Sequence, residues 1–283
     1  MIKKITFLFC VFPFFMVAQD DLLKEIDTVS DQNESEVAAF KSLKIVNLES
    51  TKLAAKGDIY FVVAHRFGYF DKGFQDFFGL DEANTRLQFV YGLTNGVTIH
   101  ASRSGFQKAY EFATKYRIFG QKKQGFPFEI VGFNSIAINT ELEKTTLPKL
   151  EFSDRLAYVN QILISRKFND NLSLEIAPTH FHQNYVANNF QDNSQFALGL
   201  GGRYKFTKRW SFNVDYAAHL NRASNSDFKN PLSIGFDLET GGHVFQMHFT
   251  NSQAMHESGY LGNTSGSWND GKIAFGFNLI RVF

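Results

Sequence analysis

The sequence predicts an all-β fold, an antiparallel transmembrane β-barrel of about 12 strands with both termini on the periplasmic side, and three features predict it. From Asp58 onward apolar and polar side chains alternate with a period of two, broken at intervals by Gly, Asn, Asp and Pro. The breaks are short and long by turns. The chain ends on an aromatic residue, Phe283. Composition fits: 44% hydrophobic, 16% aromatic and 33 Phe make the chain too apolar for disorder. No stretch after the N-terminal one approaches the roughly 20 apolar residues of a spanning helix. With 29 basic against 28 acidic residues there is no positive excess to suit nucleic acid, which is therefore not an expected partner.

The first element is a secretory signal, residues 1–18. Lys3 and Lys4 precede the apolar run Ile5 to Val17, and Ala18-Gln19 leads into Asp20-Asp21, so cleavage is expected after Ala18. Cys10 follows Phe9 rather than a small residue, which argues against a lipid anchor. Without it the mature chain has no cysteine, hence no disulfide and no thiolate metal site. Residues 19–57 form a second unit, a periplasmic segment or a plug. Its first part is acidic, with Asp20, Asp21, Glu25, Asp27, Asp31, Glu34 and Glu36 against Lys24, which suits a solvated arm. Residues 37–57 turn basic and weakly apolar; a linker is the plainer reading and a segment tucked into the barrel the sharper one.

Residues 58–283 form the barrel, with runs beginning near 58, 83, 97, 108, 126, 153, 171, 194, 209, 230, 242 and 271. Trp210, Phe212, Val214 and Tyr216 alternate with Ser211, Asn213, Asp215 and Ala217; Ile273, Phe275, Phe277 and Leu279 alternate with Lys272, Ala274, Gly276 and Asn278. Connections such as Thr94-Asn95-Gly96, Asn169 to Asn171, Thr207 to Arg209 and Gly241-Gly242 are short. Those at Gly68 to Asp81, Thr140 to Phe152 and Ser252 to Asp270 are long, and the asymmetry is that of an outer-membrane barrel. The links at 105–107 and 120–125 fit this scheme less well. If Gly241-Gly242 is a two-residue turn, Thr240 faces His243, Leu238 faces Phe245 and Phe236 faces Met247, so the apolar faces coincide. A soluble sandwich also alternates, but its polar faces would not carry mid-strand charges beside Gly and Ala. Here those charges are Glu111, Lys115, Arg117, Glu175, Arg203, Lys205, Asp215 and Asp237, and they are assigned to the lumen.

The motifs Phe77 to Asp81 (FFGLD), Ser233 to Ser252 (SIGFDLETGGHVFQMHFTNS) and Phe275 to Phe283 (FGFNLIRVF) resemble an uncharacterised family of Bacteroidota outer-membrane β-barrel proteins, a domain of unknown function, over residues 37–283. The resemblance implies an outer-membrane barrel and no reaction. Phe283 also resembles the C-terminal signal read by the barrel-assembly machinery, with Arg281 an imperfect match.

Two chemical constellations stand out on the third run and among the histidines. His100 and Ser102 share a strand face, as a base and nucleophile would, and a twelve-stranded outer-membrane phospholipase family carries His-x-Ser on a strand. A two-residue turn at Asn95-Gly96 would put both on the lipid side. A three-residue turn with Gly96 in a left-handed bulge would pair Tyr91 with Ile99, match the apolar faces better and turn both inward. Arg103-Ser104-Gly105 departs from that family's Asn-Gly, so no catalytic residue is assigned. The 8 histidines show no metal framework; His180 and His182 suit an ordinary polar rim, and no cofactor motif is present.

Arg203, opposite Asn213 and diagonal to Asp215, is expected to pair with Asp215. The expected function is a narrow pore or binder for small polar solutes, with Glu111, Lys115, Arg117, Arg203, Asp215 and Asp237 at the constriction. A structural barrel that binds a partner through Ser252 to Asp270 is the alternative, and a phospholipase-like hydrolase the third. Expected partners are outer-membrane lipid, lipopolysaccharide and the assembly machinery.

Overall fold

The structure is a computed structural model that describes residues 38–188 and 190–283; the predicted signal peptide and the acidic block at 20–36 lie outside the described residues. The described residues form β1 (Ile59–Tyr69), β2 (Ala83–Thr94), β3 (Val97–Ser104), β4 (Tyr110–Phe119), β5 (Glu129–Ile138), β6 (Leu156–Lys167), β7 (Leu172–Gln183), β8 (Ser194–Lys205), β9 (Trp210–His219), β10 (Leu232–Thr240), β11 (His243–Thr250) and β12 (Ala274–Val282). Each strand pairs antiparallel with its neighbour in sequence, and β1 pairs with β12, closing the sheet. Closure leaves no edge whose N–H and C=O groups would lack partners, which is what a spanning sheet requires. No helix among the described residues is long and apolar enough to cross a membrane.

Alternation sorts the side chains as the pattern demands. Phe89, Phe112, Phe196, Leu200, Tyr204, Phe236 and Phe245 point outward and stay exposed, Phe89 at 59%. A continuous exposed apolar surface of this kind suits acyl chains, not water. Rings cross-pair on it between strands, as Phe61 with Phe89 at 4.9 Å and Phe212 with Phe236 at 5.4 Å. Pairing across Gly241-Gly242 is Thr240 with His243, Leu238 with Phe245 and Phe236 with Met247, the predicted register.

Between β2 and β3 the pairing is Tyr91 with Ile99 and Phe89 with Ala101, the register of the three-residue turn. The irregularity that allows it lies between Gly92 and Thr94, however, and Gly96 is not left-handed. Gly92 is needed for a different reason: a Cβ there would sit 1.8 Å from the carbonyl oxygen of Ala55, where the chain passes into β1.

Two segments fill the interior. Residues 39–54 are buried apart from Lys41, Lys44 and Lys52. They fold into a small hairpin, with Ile45 N donating to Leu48 O at 2.8 Å and Ser50 N to Leu43 O at 3.0 Å. The connection from β11 to β12 also turns inward: residues 251–262 are buried except Gln253, and α1 (Glu257–Gly262) packs against β6, β7 and β9. Ser252 to Asp270 was expected to be an outer loop offering a docking surface, and in its first half the structure corrects this. A polar loop composition serves a polar lumen as well as it serves water.

The wall of the lumen is not polar throughout. Leu53 packs with Val131, Phe133, Leu163 and Ala177, and Leu48 with Val159, Phe181, Ala197 and Tyr260. Gly199 and Gly201 leave room for the insert, since a Cβ at Gly201 would lie 2.2 Å from Ile45 Cδ1. The small residues between the lumen charges are therefore sockets for residues 45–48.

Candidate functional site

The lumen charges hold the N-terminal insert by its backbone. Asp215 Oδ2 accepts the N–H groups of Val46, Asn47 and Leu48 at 3.0, 2.6 and 2.9 Å, so the hairpin turn closes around one carboxylate oxygen. Lys115 Nζ donates to the carbonyls of Leu43, Ser50 and Lys52 at 3.1, 2.9 and 3.3 Å and pairs with Glu49 at 2.7 Å. Glu175 Oε2 accepts from Thr51 N at 3.0 Å, Thr98 Oγ1 from Ala54 N at 3.1 Å, and the hydroxyls of Thr51 and Ser165 lie 2.6 Å apart. Arg66 and Gln246 complete the cradle, donating to Asn47 Oδ1 at 3.1 Å and Ile45 O at 2.5 Å. Strand N–H and C=O groups are already used by the ladder, so only lumen side chains can answer those of an irregular insert.

Lys44 joins the two inserts. It pairs with Glu49 at 2.8 Å and with Glu257 of α1, while Arg86 pairs with Glu111 at 2.5 Å and donates to Met255 O at 2.8 Å. Burial by itself would raise the Glu49 carboxyl, but Lys115 and Lys44 outweigh burial and hold it well below the usual carboxylate range. A carboxylate depressed in the docked state contributes stability above its undocked value, about 4.3 for Glu, and loses it only as pH falls through the depressed value. Glu49 is therefore expected to stay ionised, and its pairs with Lys115 and Lys44 to persist, as pH is lowered from 7 to about 5, which the NMR shift of its carboxyl carbon would follow; protonation within that window would show that the two lysines do not outweigh burial.

Beyond α1, at the end of the barrel with the long connections, lies a chamber of about 530 Å³. Its wall includes Gln107, Asn139, Gln183, Tyr185, Gln195 and Phe228, and its floor His256, Ser258 and Gly262. Hydrogen bonds fix the polar wall: His219 with Gln195 at 2.8 Å, Gln195 with Gln183 at 3.0 Å, Gln183 with Asn263 at 3.0 Å and His256 with Gln107 at 3.2 Å. Burial pushes the His256 imidazole down to about 4, so it is neutral at pH 7.

All eight predicted lumen residues face inward, but not as the lining of an open constriction. Lys115, Glu175 and Asp215 hold the insert. Asp237 accepts from Gln246 at 2.8 Å, Arg117 pairs with Glu129 at 3.4 Å, and Glu111 with Arg86. Lys205 stands half-buried near the short-turn end. Arg203 does lie opposite Asn213, yet its ion pair is with Glu239 and its Nε bonds Ser211 at 3.0 Å. The predicted Arg203–Asp215 pair is not formed, because three backbone N–H groups take the Asp215 oxygen instead.

The base-and-nucleophile reading of His100 and Ser102 is not supported by their partners. Both face the lumen; His100 Nδ1 meets Gln88 at 3.1 Å, and Ser102 Oγ accepts from Arg86 at 3.1 Å. His182 bonds Ser194 at 2.8 Å and His180 lies against the Phe196 ring, as rim residues do. Lys44, Glu49, Arg66, Arg86, Gln246 and Glu257 were missed. Arg66 and Arg86 were open to discovery, since they share a face with Ala64 and Gln88 in alternating strands; nothing local marks Glu49 or Glu257.

A family model described as Membrane bound beta barrel domain (DUF5777) matches residues 40–283. No curated protein matches the chain. Among solved structures, the porin NanC is 10% identical with a TM-score of 0.50, over 79% of this chain and 98% of that one. The KdgM porin is 10% identical with a TM-score of 0.46, over 80% and 99%. An outer-membrane channel from Pseudomonas putida F1 is 12% identical with a TM-score of 0.45, over 82% and 97%. The likeness to NanC is one of fold.

Proposed function

The chain belongs to this membrane-bound β-barrel family, and from that premise we propose that it is an outer-membrane pore for small polar solutes, closed by its own N-terminal segment and opened when that segment leaves the lumen. In this reading residues 1–18 direct export, both termini and the short turns face the periplasm, the long connections face outward, and Phe283 serves assembly in a bilayer of lipid and lipopolysaccharide. The observation that carries the proposal is the cradle around residues 43–54. Its polar contacts are all ones that water could replace, and the small residues beneath it would leave a channel when it departs. A twelve-stranded barrel lies between the filled eight-stranded and the open sixteen-stranded types, so its contents decide whether it conducts.

The test is single-channel recording of the refolded mature protein with and without residues 19–57. Discrete conductance that is rare in the full chain and sustained in the truncated one is the expected result. Silence of a correctly folded truncated barrel would overturn the pore and favour the second reading, a closed barrel with a structural or partner-binding role, which the packing of residues 251–262 also suits.

A further inference from the structure

We infer that the chamber above α1 is a binding site for a neutral saccharide. Its volume of about 530 Å³ lies in the range of small-molecule sites, about 300–1,000 Å³. Its polar wall is rich in carboxamides, with Gln183 on β7, Gln195 on β8, Gln107 and Asn139 in the connections after β3 and β5, and Asn263 at the rim of the floor. A carboxamide offers a donor and an acceptor side by side, and a hydroxyl is both, so adjacent hydroxyls of a sugar pair naturally with such groups. The charges at the chamber, Glu141, Asp154 and Arg155, are of mixed sign. Two carboxylates against one guanidinium disfavour an anionic solute, and the negative excess is a single carboxylate at the rim, since Glu141 is exposed and Asp154 Oδ2 already accepts from Glu151 N at 2.8 Å. Phe228 and Tyr185 supply the apolar faces that the C–H side of a pyranose needs.

The wall is also prearranged. The run His219–Gln195–Gln183–Asn263 is hydrogen-bonded throughout, Gln195 is 2% exposed, and the chain ends on an Asn263 Nδ2 that has no partner among the described residues. Asn139 Nδ2 and Gln107 Nε2 are likewise without partners there, and His256 Nδ1 is buried and unpaired. Gln107 and Lys108 hold left-handed backbone at φ 55° and 43°, a strained link that carries the Gln107 side chain to His256. Strain of this kind tends to gather where a side chain must be aimed.

Binding is read without current, so this inference and the pore proposal fail separately. The mature protein in an amine-oxide detergent, which has no sugar headgroup, is titrated calorimetrically with a panel of neutral hexoses and disaccharides, with galacturonate and glutamate as charged probes. Saturable binding of a neutral sugar is expected, weakened roughly three- to tenfold in Asn263→Ala, which removes one hydrogen bond. Phe228→Ala, a half-buried connection residue whose loss leaves the strands intact, is expected to weaken it as well. No saturable binding of any neutral sugar, binding confined to the charged probes, or affinity unchanged in both variants would overturn the assignment.

Discussion

Lys115→Ala is expected to release the N-terminal insert and give the barrel long open states. The ammonium group is fully buried, pairs with Glu49 and answers three carbonyls of the insert, so its loss takes one of the two cations beside Glu49 and leaves the Ser50 and Lys52 carbonyls without this donor, while Leu43 O keeps Ser50 N. Removing one partner of a buried ion pair costs about 3–5 kcal/mol when the other charge is left alone; with Lys44 still beside Glu49 the lower end applies, about two orders of magnitude in the docking equilibrium. The cost falls on docking because Lys115 points away from the lipid face, leaving the ladder of β3, β4 and β5 intact. Two measurements check it. Open probability in bilayers should rise steeply, and protease should cut within residues 38–56 while the barrel keeps its heat-modifiable migration on gels. A barrel that stays closed and uncut would show that apolar packing of Leu43, Leu48 and Leu53 holds the insert without this cation.

Asp215→Ala should act on the turn itself. It leaves the N–H groups of Val46, Asn47 and Leu48 without their common acceptor, at about 1–3 kcal/mol for each buried group that water does not reach. Asp215→Asn keeps one carbonyl oxygen of the same shape and should rescue much of the loss. The expected order of open probability is Ala above Asn above wild type, with amide exchange at residues 46–48 following the same order. Equal behaviour of the two variants would mean that charge, not the three-fold acceptor geometry, is what Asp215 supplies.

The strands were legible because a membrane barrel writes its two environments into every second residue. Strand starts at 58, 83, 97 and 194 fall within a residue of the observed Ile59, Ala83, Val97 and Ser194, and the pairing across Gly241-Gly242 follows from the apolar faces alone. The contents of the lumen were not legible. Residues 38–56 have no period, since an irregular insert contacts whatever side chains surround it. Its partners, Lys115, Glu175 and Asp215, are 63 to 169 positions away in the chain. Pairing rules between adjacent strands therefore assigned Asp215 to Arg203, the nearest opposite charge on the sheet, when the true partner entered from the third dimension. Ser252 to Asp270 misled for a related reason: Asn251, Ser252, His256 and Glu257 are polar, and a chain that turns into a polar lumen has the composition of one that turns to water.

The claim that residues 38–56 must move for solute to pass is tested most directly by locking them in place. The hydroxyls of Thr51 and Ser165 are 2.6 Å apart, and Cys10, the one cysteine of the chain, lies within the predicted signal. Thr51→Cys with Ser165→Cys, built on the Lys115→Ala background, puts two thiols within reach of a bond of about 2.0 Å between the insert and β6. The account predicts frequent openings in the reduced protein, their disappearance on oxidation and their return with reductant. Openings that persist unchanged in the fully oxidised protein would contradict it, because solute would then have a path that does not require the insert to leave.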